Sequence, residues 1–316
     1  MHARILAAAA LVSLIGCSGS STSAPSVSRA PTTASSAGAT TSGTTPGVTS
    51  APPASGAPPT FGTRRCWPIV LVHGQPGFVT LYGIEYFYDV PRVLRAAGFE
   101  VFVPQLHGAH NADRGTDLAG QILATYPDPR TKVNVIAHSD GGMDARYAIS
   151  SAGLGAKVAS LTVLGAPNQG CTVNDIACAL LPNNLPGWLS ALVSAGGFDP
   201  TAEDTTSYVK GTFNPANPDD PRVAYFSYAG LADPTGSTGC VVDPLFLASW
   251  FVLDATEGAS DGLVSVESAK WGTFMGTLPA DHLNLVGQPL GLTGKFDHRT
   301  FYEQWCEELE RRGFGP

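Results

Sequence analysis

Basic side chains are scarce in this chain: 18 Lys and Arg stand against 26 Asp and Glu among 316 residues, with no basic run and no aromatic-interleaved basic patch. That excludes nucleic acid as a partner, because phosphate binding needs a clustered positive face. The N-terminal apolar run, Ile5 to Ile15, has eleven residues, too few for the roughly 20 a bilayer span requires. No CxxC spacing occurs among Cys17, Cys66, Cys171, Cys178, Cys240 and Cys306, which argues against a zinc site.

What is present at the N-terminus is a short export pattern. Arg4 precedes the apolar run, which closes in Leu14-Ile15-Gly16-Cys17. This resembles a bacterial lipoprotein signal, residues 1–17, in which cleavage leaves Cys17 as a lipid-modified N-terminus. The expectation is an exported protein, held by its acyl chains at the outer membrane or cell surface, or secreted if Cys17 is not lipidated. Residues 18–62 follow as a tether in which all but Val27, Arg29, Val48 and Phe61 are Ser, Thr, Ala, Pro or Gly. Such a stretch buries too little apolar surface to offset its ordering entropy, and as a coil it reaches on the order of 40 Å. Residues 63–316 then fit one large α/β domain. With Cys17 assigned to lipid, the other five cysteines allow two disulfides and one spare thiol in an oxidising compartment. Cys66 and Cys306, near the two ends of the domain, could staple it, but the connectivity stays open.

The chemistry gathers at Val133 to Gly142, Val-Asn-Val-Ile-Ala-His-Ser-Asp-Gly-Gly. A β-branched run suited to a buried strand breaks into small residues on either side of Ser139, and a helix over Met143 to Ser151 is predicted to follow. A serine at the apex of a tight strand-to-helix turn sits at strained angles, so the residues two before and two after it must be nearly free of side chain. They are Ala137 and Gly141.

Around this elbow the chain alternates strands and helices. Ile69 to Val72 is a continuous apolar run, as a strand covered on both faces should be, and ends in His73-Gly74-Gln75. The amide of Gln75 is the natural partner of the Asp140 amide for a developing oxyanion. Helices are expected at Val90 to Ala97, Thr116 to Tyr126 and Thr300 to Arg312, and strands at Glu100 to Val103, Val158 to Leu164 and Val223 to Tyr228. His107 and His110 read as solvated loop residues, not a metal site. Leu185, Trp188, Leu189 and Leu192 make an apolar stripe that could be core or the inner face of a lid.

A serine hydroxyl needs a base in hydrogen-bond reach, itself oriented by a buried carboxylate. Ser139, Asp261 in Ser-Asp-Gly-Leu-Val, and His282 in Asp-His-Leu-Asn supply these roles in the order serine, acid, histidine. Asp254, which continues an apolar run, is the weaker acid; His73 and His138 read as structural.

On these residues the domain resembles the secreted true lipases of bacteria, the triacylglycerol lipase family of pseudomonads and their relatives. The resemblance is carried by Pro-Ile-Val-Leu-Val-His-Gly at 68–74, Tyr82-Gly83-Ile84, Arg114-Gly115, Lys132 to Ser139, Ala145-Arg146-Tyr147, Phe213-Asn214, Asp261 to Val264 and Asp281-His282-Leu283. It implies an α/β-hydrolase fold with a mostly parallel central sheet, helices on both faces and a helical lid. It also implies a serine carboxylic-ester hydrolase with Ser139, Asp261 and His282 as triad and the amides of Gln75 and Asp140 as oxyanion hole. Lipid or ester substrates, and in some members a dedicated folding chaperone, come with it. A short-chain esterase or polyester depolymerase on the same fold is the alternative within hydrolases; a non-catalytic surface-anchored binding protein is the alternative outside them.

The resemblance further implies a structural calcium held at Asp243, Asn284, Gln288 and Leu292, with Asn284 in place of an aspartate and therefore one charge fewer. Glu267 stands where the family's usual disulfide has a cysteine. Asp140, beside the oxyanion hole, is expected to disfavour anionic substrates.

Overall fold

The computed structural model describes residues 64–316 apart from 76, 82, 181–186, 188 and 191–201. The expected signal segment, Cys17 and the tether lie outside the described residues, as do Leu185, Trp188 and Leu192 of the expected lid stripe. Leu189, which is described, is fully buried among Val173, Ala177, Val242 and Phe246.

Eight strands are described: β1 Ile69–Val72, β2 Thr80–Leu81, β3 Ile84–Glu85, β4 Val101–Phe102, β5 Val133–His138, β6 Val158–Leu164, β7 Ala224–Gly230 and β8 Thr273–Leu278. β2 and β3 pair antiparallel with each other, and the other six form one parallel sheet in the order β4-β1-β5-β6-β7-β8. The main helices are α1 Val90–Ala96, α2 Asn111–Thr125, α3 Gly141–Ser150, α4 Thr172–Leu180, α5 Leu247–Thr256 and α6 His298–Arg311.

Alternation along the central strands, with both faces covered, explains why β1 is apolar throughout and β5 is apolar apart from Asn134 and His138. Val70, Val72, Val133, Val135 and Ala137 pack against Leu118 and Ile122 of α2 and Ala145, Ala148 and Ile149 of α3. Ile69, Leu71 and Ile136 point the other way, onto Val90 and Leu94 of α1 and Tyr302, Trp305 and Leu309 of α6. Each such side chain, fully buried, stabilises the fold by roughly 1.5–3 kcal/mol. Both faces of β1 and β5 are therefore covered, as expected of an α/β-hydrolase sheet.

Two helix starts and one strand depart most from the sequence reading. α2 starts at Asn111, ahead of the expected Thr116, because the Glu203 carboxylate accepts the Asn111 N–H at 2.9 Å from far along the chain. α6 starts at His298, where the Asp297 side chain accepts the Thr300 N–H. β8, which the sequence reading did not include, lies on the sheet edge and is broken in character by Gly276.

The expected disulfides are not seen among the described cysteines. Cys66, Cys171, Cys178, Cys240 and Cys306 are all thiols. Cys66 donates to the carbonyl of Phe314 at 3.6 Å, Cys171 to that of Leu263 at 3.3 Å, and Cys240 to Asn284 Oδ1 at 3.3 Å. Burial pushes the Cys66 thiol up to about 12 and that of Cys240 to about 11, which suppresses the thiolate that disulfide exchange requires.

Candidate active site

Only Ser139 and Asp140 separate β5 from α3. Ser139 has φ 56°, the left-handed region that costs a side-chain-bearing residue about 1–3 kcal/mol and persists only when neighbours hold it. Its N–H donates to the Leu164 carbonyl at 3.0 Å, and its own carbonyl accepts the Gly142 N–H at 2.9 Å. A Cβ on Gly141 would lie 2.4 Å from the His73 oxygen, and one on Gly74 would lie 2.8 Å from Ser139 Cβ. The small residues around the serine thus let the loop after β1 close down on it.

Into this turn come two side chains from the far half of the chain. His282 Nε2 lies 3.0 Å from Ser139 Oγ, and His282 Nδ1 lies 2.8 Å from Asp261 Oδ2. Asp261 is fully buried, and its Oδ1 accepts the N–H groups of Leu263 and Val264 at 2.9 and 2.7 Å. The carboxylate therefore offers Oδ2 to the histidine, which fixes Nδ1 as donor and leaves Nε2 to accept the serine proton. The His282 N–H also donates to the Asp261 carbonyl at 2.9 Å, tying the two loops together. The arrangement can activate a hydroxyl nucleophile. Asp254 stands exposed on α5 and takes no part.

A second relay couples the histidine loop to the loop after β1. The Gly74 N–H donates to Tyr86 Oη at 3.1 Å, Tyr86 donates to His138 Nδ1 at 2.7 Å, and His138 Nε2–H donates to the His282 carbonyl at 3.0 Å. Burial and the neighbouring His282 push His138 well down, so it stays neutral and keeps this tautomer. Burial likewise lowers His73 to about 4; its Nδ1–H donates to the Gly74 carbonyl and its Nε2 accepts the Leu106 N–H. Neither ring bonds to Ser139 or Asp261; both are tied to backbone groups and, for His138, to Tyr86. Tyr86→Phe leaves the Gly74 N–H and His138 Nδ1 without partners. It is expected to destabilise by about 1–3 kcal/mol, read as a lower urea midpoint at unchanged slope, and to lower kcat more than it raises KM. An unchanged midpoint and kcat would count against the relay.

Among the described residues, the amides of Gln75 and Asp140 donate to no other group, which leaves both available to an oxyanion. The Asp140 side chain departs from expectation. It is 5 % exposed, and its Oδ1 accepts from Asn111 Nδ2 at 2.9 Å, so the carboxylate is turned into the protein and away from a substrate. The same Asn111 amide reaches Asp144 Oδ1 at 3.1 Å, Arg114 holds Asp144 at 2.7 Å, and Arg114 Nη2 donates to the carbonyls of His73 and Gly74 at 3.3 and 3.2 Å. Arg114 thus clamps the loop after β1 from below. Sequence reading found the Arg114-Gly115 pair without its role, because its partners lie 30 residues later at Asp144 and 41 and 40 residues earlier at His73 and Gly74.

Three of the expected calcium ligands, Asp243, Asn284 and Leu292, line a cavity of about 490 Å³ that is also lined by Asp281, Cys240 and Lys295; Gln288 does not line it. They do not fit the ion. Calcium takes six to eight oxygens, several of them anionic. Here Asn284 Oδ1 receives the Cys240 thiol, while Asn284 Nδ2 donates to the Gln288 carbonyl at 2.9 Å. The Gln288 side chain is committed to the carbonyls of Glu85 and Tyr86, and both Asp281 oxygens accept backbone N–H groups, of Asp243 and Asn284. Leu292 is 74 % exposed. Lys295 brings a positive charge to the same cavity as Asp243. Among the described residues, no three His, Cys, Asp or Glu side chains converge to hold a metal.

No family model matches the chain. It is 30 % identical over 266 residues to triacylglycerol lipase 2 of Saccharomyces cerevisiae, covering 75 % of this chain and 77 % of that protein. It is 29 % identical over 286 residues to the triacylglycerol lipase of Vibrio cholerae, covering 79 % and 90 % respectively. Its fold matches the mature form of a Bacillus licheniformis lipase, with a TM-score of 0.58 at 23 % identity over 75 % of this chain and 93 % of that one. It also matches a metagenomic carboxyl esterase, at a TM-score of 0.61 and 17 % identity, over 84 % and 82 %.

Proposed function

This chain belongs to the triacylglycerol lipase family of α/β-hydrolases, carboxylic-ester hydrolases, and from that premise we propose that it hydrolyses neutral acylglycerols through an acyl-enzyme on Ser139. The observation that carries the reading is the pair of contacts at the strained turn, 3.0 Å from Ser139 Oγ to His282 Nε2 and 2.8 Å from His282 Nδ1 to Asp261 Oδ2.

His282 Nε2 takes the Ser139 proton as Oγ attacks the ester carbonyl, and Asp261 stabilises the imidazolium that forms. The amides of Gln75 and Asp140 stabilise the oxyanion of the tetrahedral intermediate. His282 returns the proton to the leaving alcohol, then deprotonates a water that attacks the acyl-enzyme, and passes that proton to Ser139 Oγ as the carboxylic acid is released. The Asp140 carboxylate beside the serine is turned inward onto Asn111, which suits an uncharged ester.

The test is the initial rate on neutral esters from two-carbon to long acyl chains, below and above their solubility. The proposal predicts a rate that rises with chain length and increases again once an emulsion forms. A rate that peaks on short, dissolved esters would replace the acylglycerol assignment by a short-chain esterase. No turnover on any ester by folded protein would return the binding-protein reading.

A further inference from the structure

We propose that Asn284 is a positioning residue for His282: its side-chain amide, accepting from the Cys240 thiol and donating to the Gln288 carbonyl, closes the turn that carries the histidine without a cation, so that fold and hydrolysis need no calcium. The inference rests on the serine-hydrolase reading above.

His282 leads into a single 3-10 turn, Asn284–Val286. Backbone bonds close it from within: the Leu285 N–H donates to the Asp281 carbonyl at 3.2 Å, and the Gln288 N–H to that of Leu283 at 3.0 Å. A turn this short must also be held from outside if His282 Nε2 is to stay 3.0 Å from Ser139 Oγ. Side chains supply that hold on two sides. The Asp281 carboxylate accepts the Asn284 N–H at 2.8 Å and the Asp243 N–H at 3.0 Å, joining the turn to the loop between β7 and α5. Gln288 Nε2 donates to the carbonyls of Glu85 and Tyr86, joining it to the end of β3. Asn284, 7 % exposed, links the two sides, with Oδ1 at 3.3 Å from the Cys240 thiol and Nδ2 at 2.9 Å from the Gln288 carbonyl.

The Gln288 carbonyl fixes which way this amide faces. Turned over, the amide would set its oxygen against that carbonyl, leaving two buried acceptors in contact. An aspartate at the same position has no nitrogen to offer and meets the carbonyl with an oxygen unless a cation lies between them. The amide N–H therefore stands where positive charge would otherwise be required, and this single atom separates a metal-free turn from a metal-held one. Cys240 is presented by a loop that is shaped by its own bonds. The Asp233 N–H donates to the Cys240 carbonyl and the Val242 N–H to the Asp233 carbonyl, both at 3.1 Å, while the Asp233 carboxylate accepts the N–H groups of Thr235 and Thr238. Asp243 Oδ1 is likewise engaged, by the Leu245 N–H at 2.8 Å.

Without the Asn284 amide, the Gln288 carbonyl and the Cys240 thiol lose their partners, the turn loosens, and His282 drifts from Ser139. The loss falls on kcat, because a misplaced base weakens proton transfer and leaves substrate contacts in place.

The experiment compares wild type, Asn284→Asp and Asn284→Ala after dialysis against EDTA, by melting temperature and by kcat and KM for p-nitrophenyl butyrate. Wild type is measured again in millimolar calcium chloride, and its calcium content is read by plasma mass spectrometry after purification from calcium-containing buffer. Wild type is expected to retain no stoichiometric calcium and to show the same melting temperature and kcat in EDTA and in calcium. Asn284→Ala is expected to melt roughly 2–4 °C lower and to lose on the order of tenfold in kcat with KM little changed. Asn284→Asp, which sets an acceptor against the Gln288 carbonyl, is expected to fall further on both measures. One calcium per wild-type chain, or a melting temperature or kcat lowered by EDTA and restored by calcium, overturns the proposal, since a cation then holds the turn. So does wild-type kcat in either folded variant. If Asn284→Asp does not fold, Asn284→Ala and the wild-type comparison decide the matter. Calcium content and melting curves need no turnover, and Ser139→Ala run beside them tests the serine reading alone, so failure of either is told from failure of the other.

Discussion

Replacing Asp261 by asparagine is expected to lower kcat for ester hydrolysis by on the order of 10⁴-fold while leaving the melting temperature close to that of the parent. The amide keeps the shape of the carboxylate, and Oδ1 can still accept the Leu263 and Val264 N–H groups. What changes is the atom facing His282 Nδ1, 2.8 Å away. An amide nitrogen donates there, so the imidazole must accept at Nδ1 and carry its proton on Nε2, where it cannot take the serine proton. A kcat within tenfold of the parent, on folded protein, would mean that another group orients the histidine. Circular dichroism and a urea midpoint on the same sample separate lost chemistry from lost fold.

The second large effect is on stability. Arg114 and Asp144 are 3 % and 0 % exposed, and the Arg114 guanidinium also reaches the His73 and Gly74 carbonyls. Arg114→Ala leaves a buried carboxylate with no cation and frees the loop that carries Gln75. Breaking a buried pair on one side costs about 3–5 kcal/mol. A fall of that size is expected in the free energy of unfolding by urea, with kcat reduced in the fraction that remains folded. Arg114→Ala/Asp144→Ala should recover much of the stability but not the kcat, because the loop carbonyls stay unclamped. A single variant within about 1 kcal/mol of wild type would remove the clamp from the account.

Legibility in the sequence followed the range of the interactions. β6 was readable to the residue because Val158 to Leu164 is an apolar run, interrupted only by Ser160 and Thr162. The serine turn was readable because its steric demand falls on residues two positions away, Ala137 and Gly141. Asp261 and His282 were picked out by motif and chain order, and the fold brings both to hydrogen-bond distance of their partners. What the sequence hid depends on residues far apart along the chain. Tyr86 meets His138 across 52 positions, and Asn111 has its N–H taken by Glu203 across 92. Nothing local marks either. Asp140 shows the same limit: its neighbour in sequence places it at the oxyanion hole, but only the packing of α2 reveals that its carboxylate points inward. The calcium expectation finds no support at Asn284, whose amide donates to the carbonyl of Gln288 and accepts from Cys240.

The claim on which the rest depends is that Ser139 is the nucleophile, and the most direct measurement is mass spectrometry of the protein after reaction with a p-nitrophenyl alkylphosphonate ester. The account predicts one phosphonyl adduct per chain, on the peptide carrying Ser139, formed in step with the loss of esterase activity and absent from Ser139→Ala. Full inactivation with the adduct on another residue, or hydrolysis undiminished in Ser139→Ala, would contradict it.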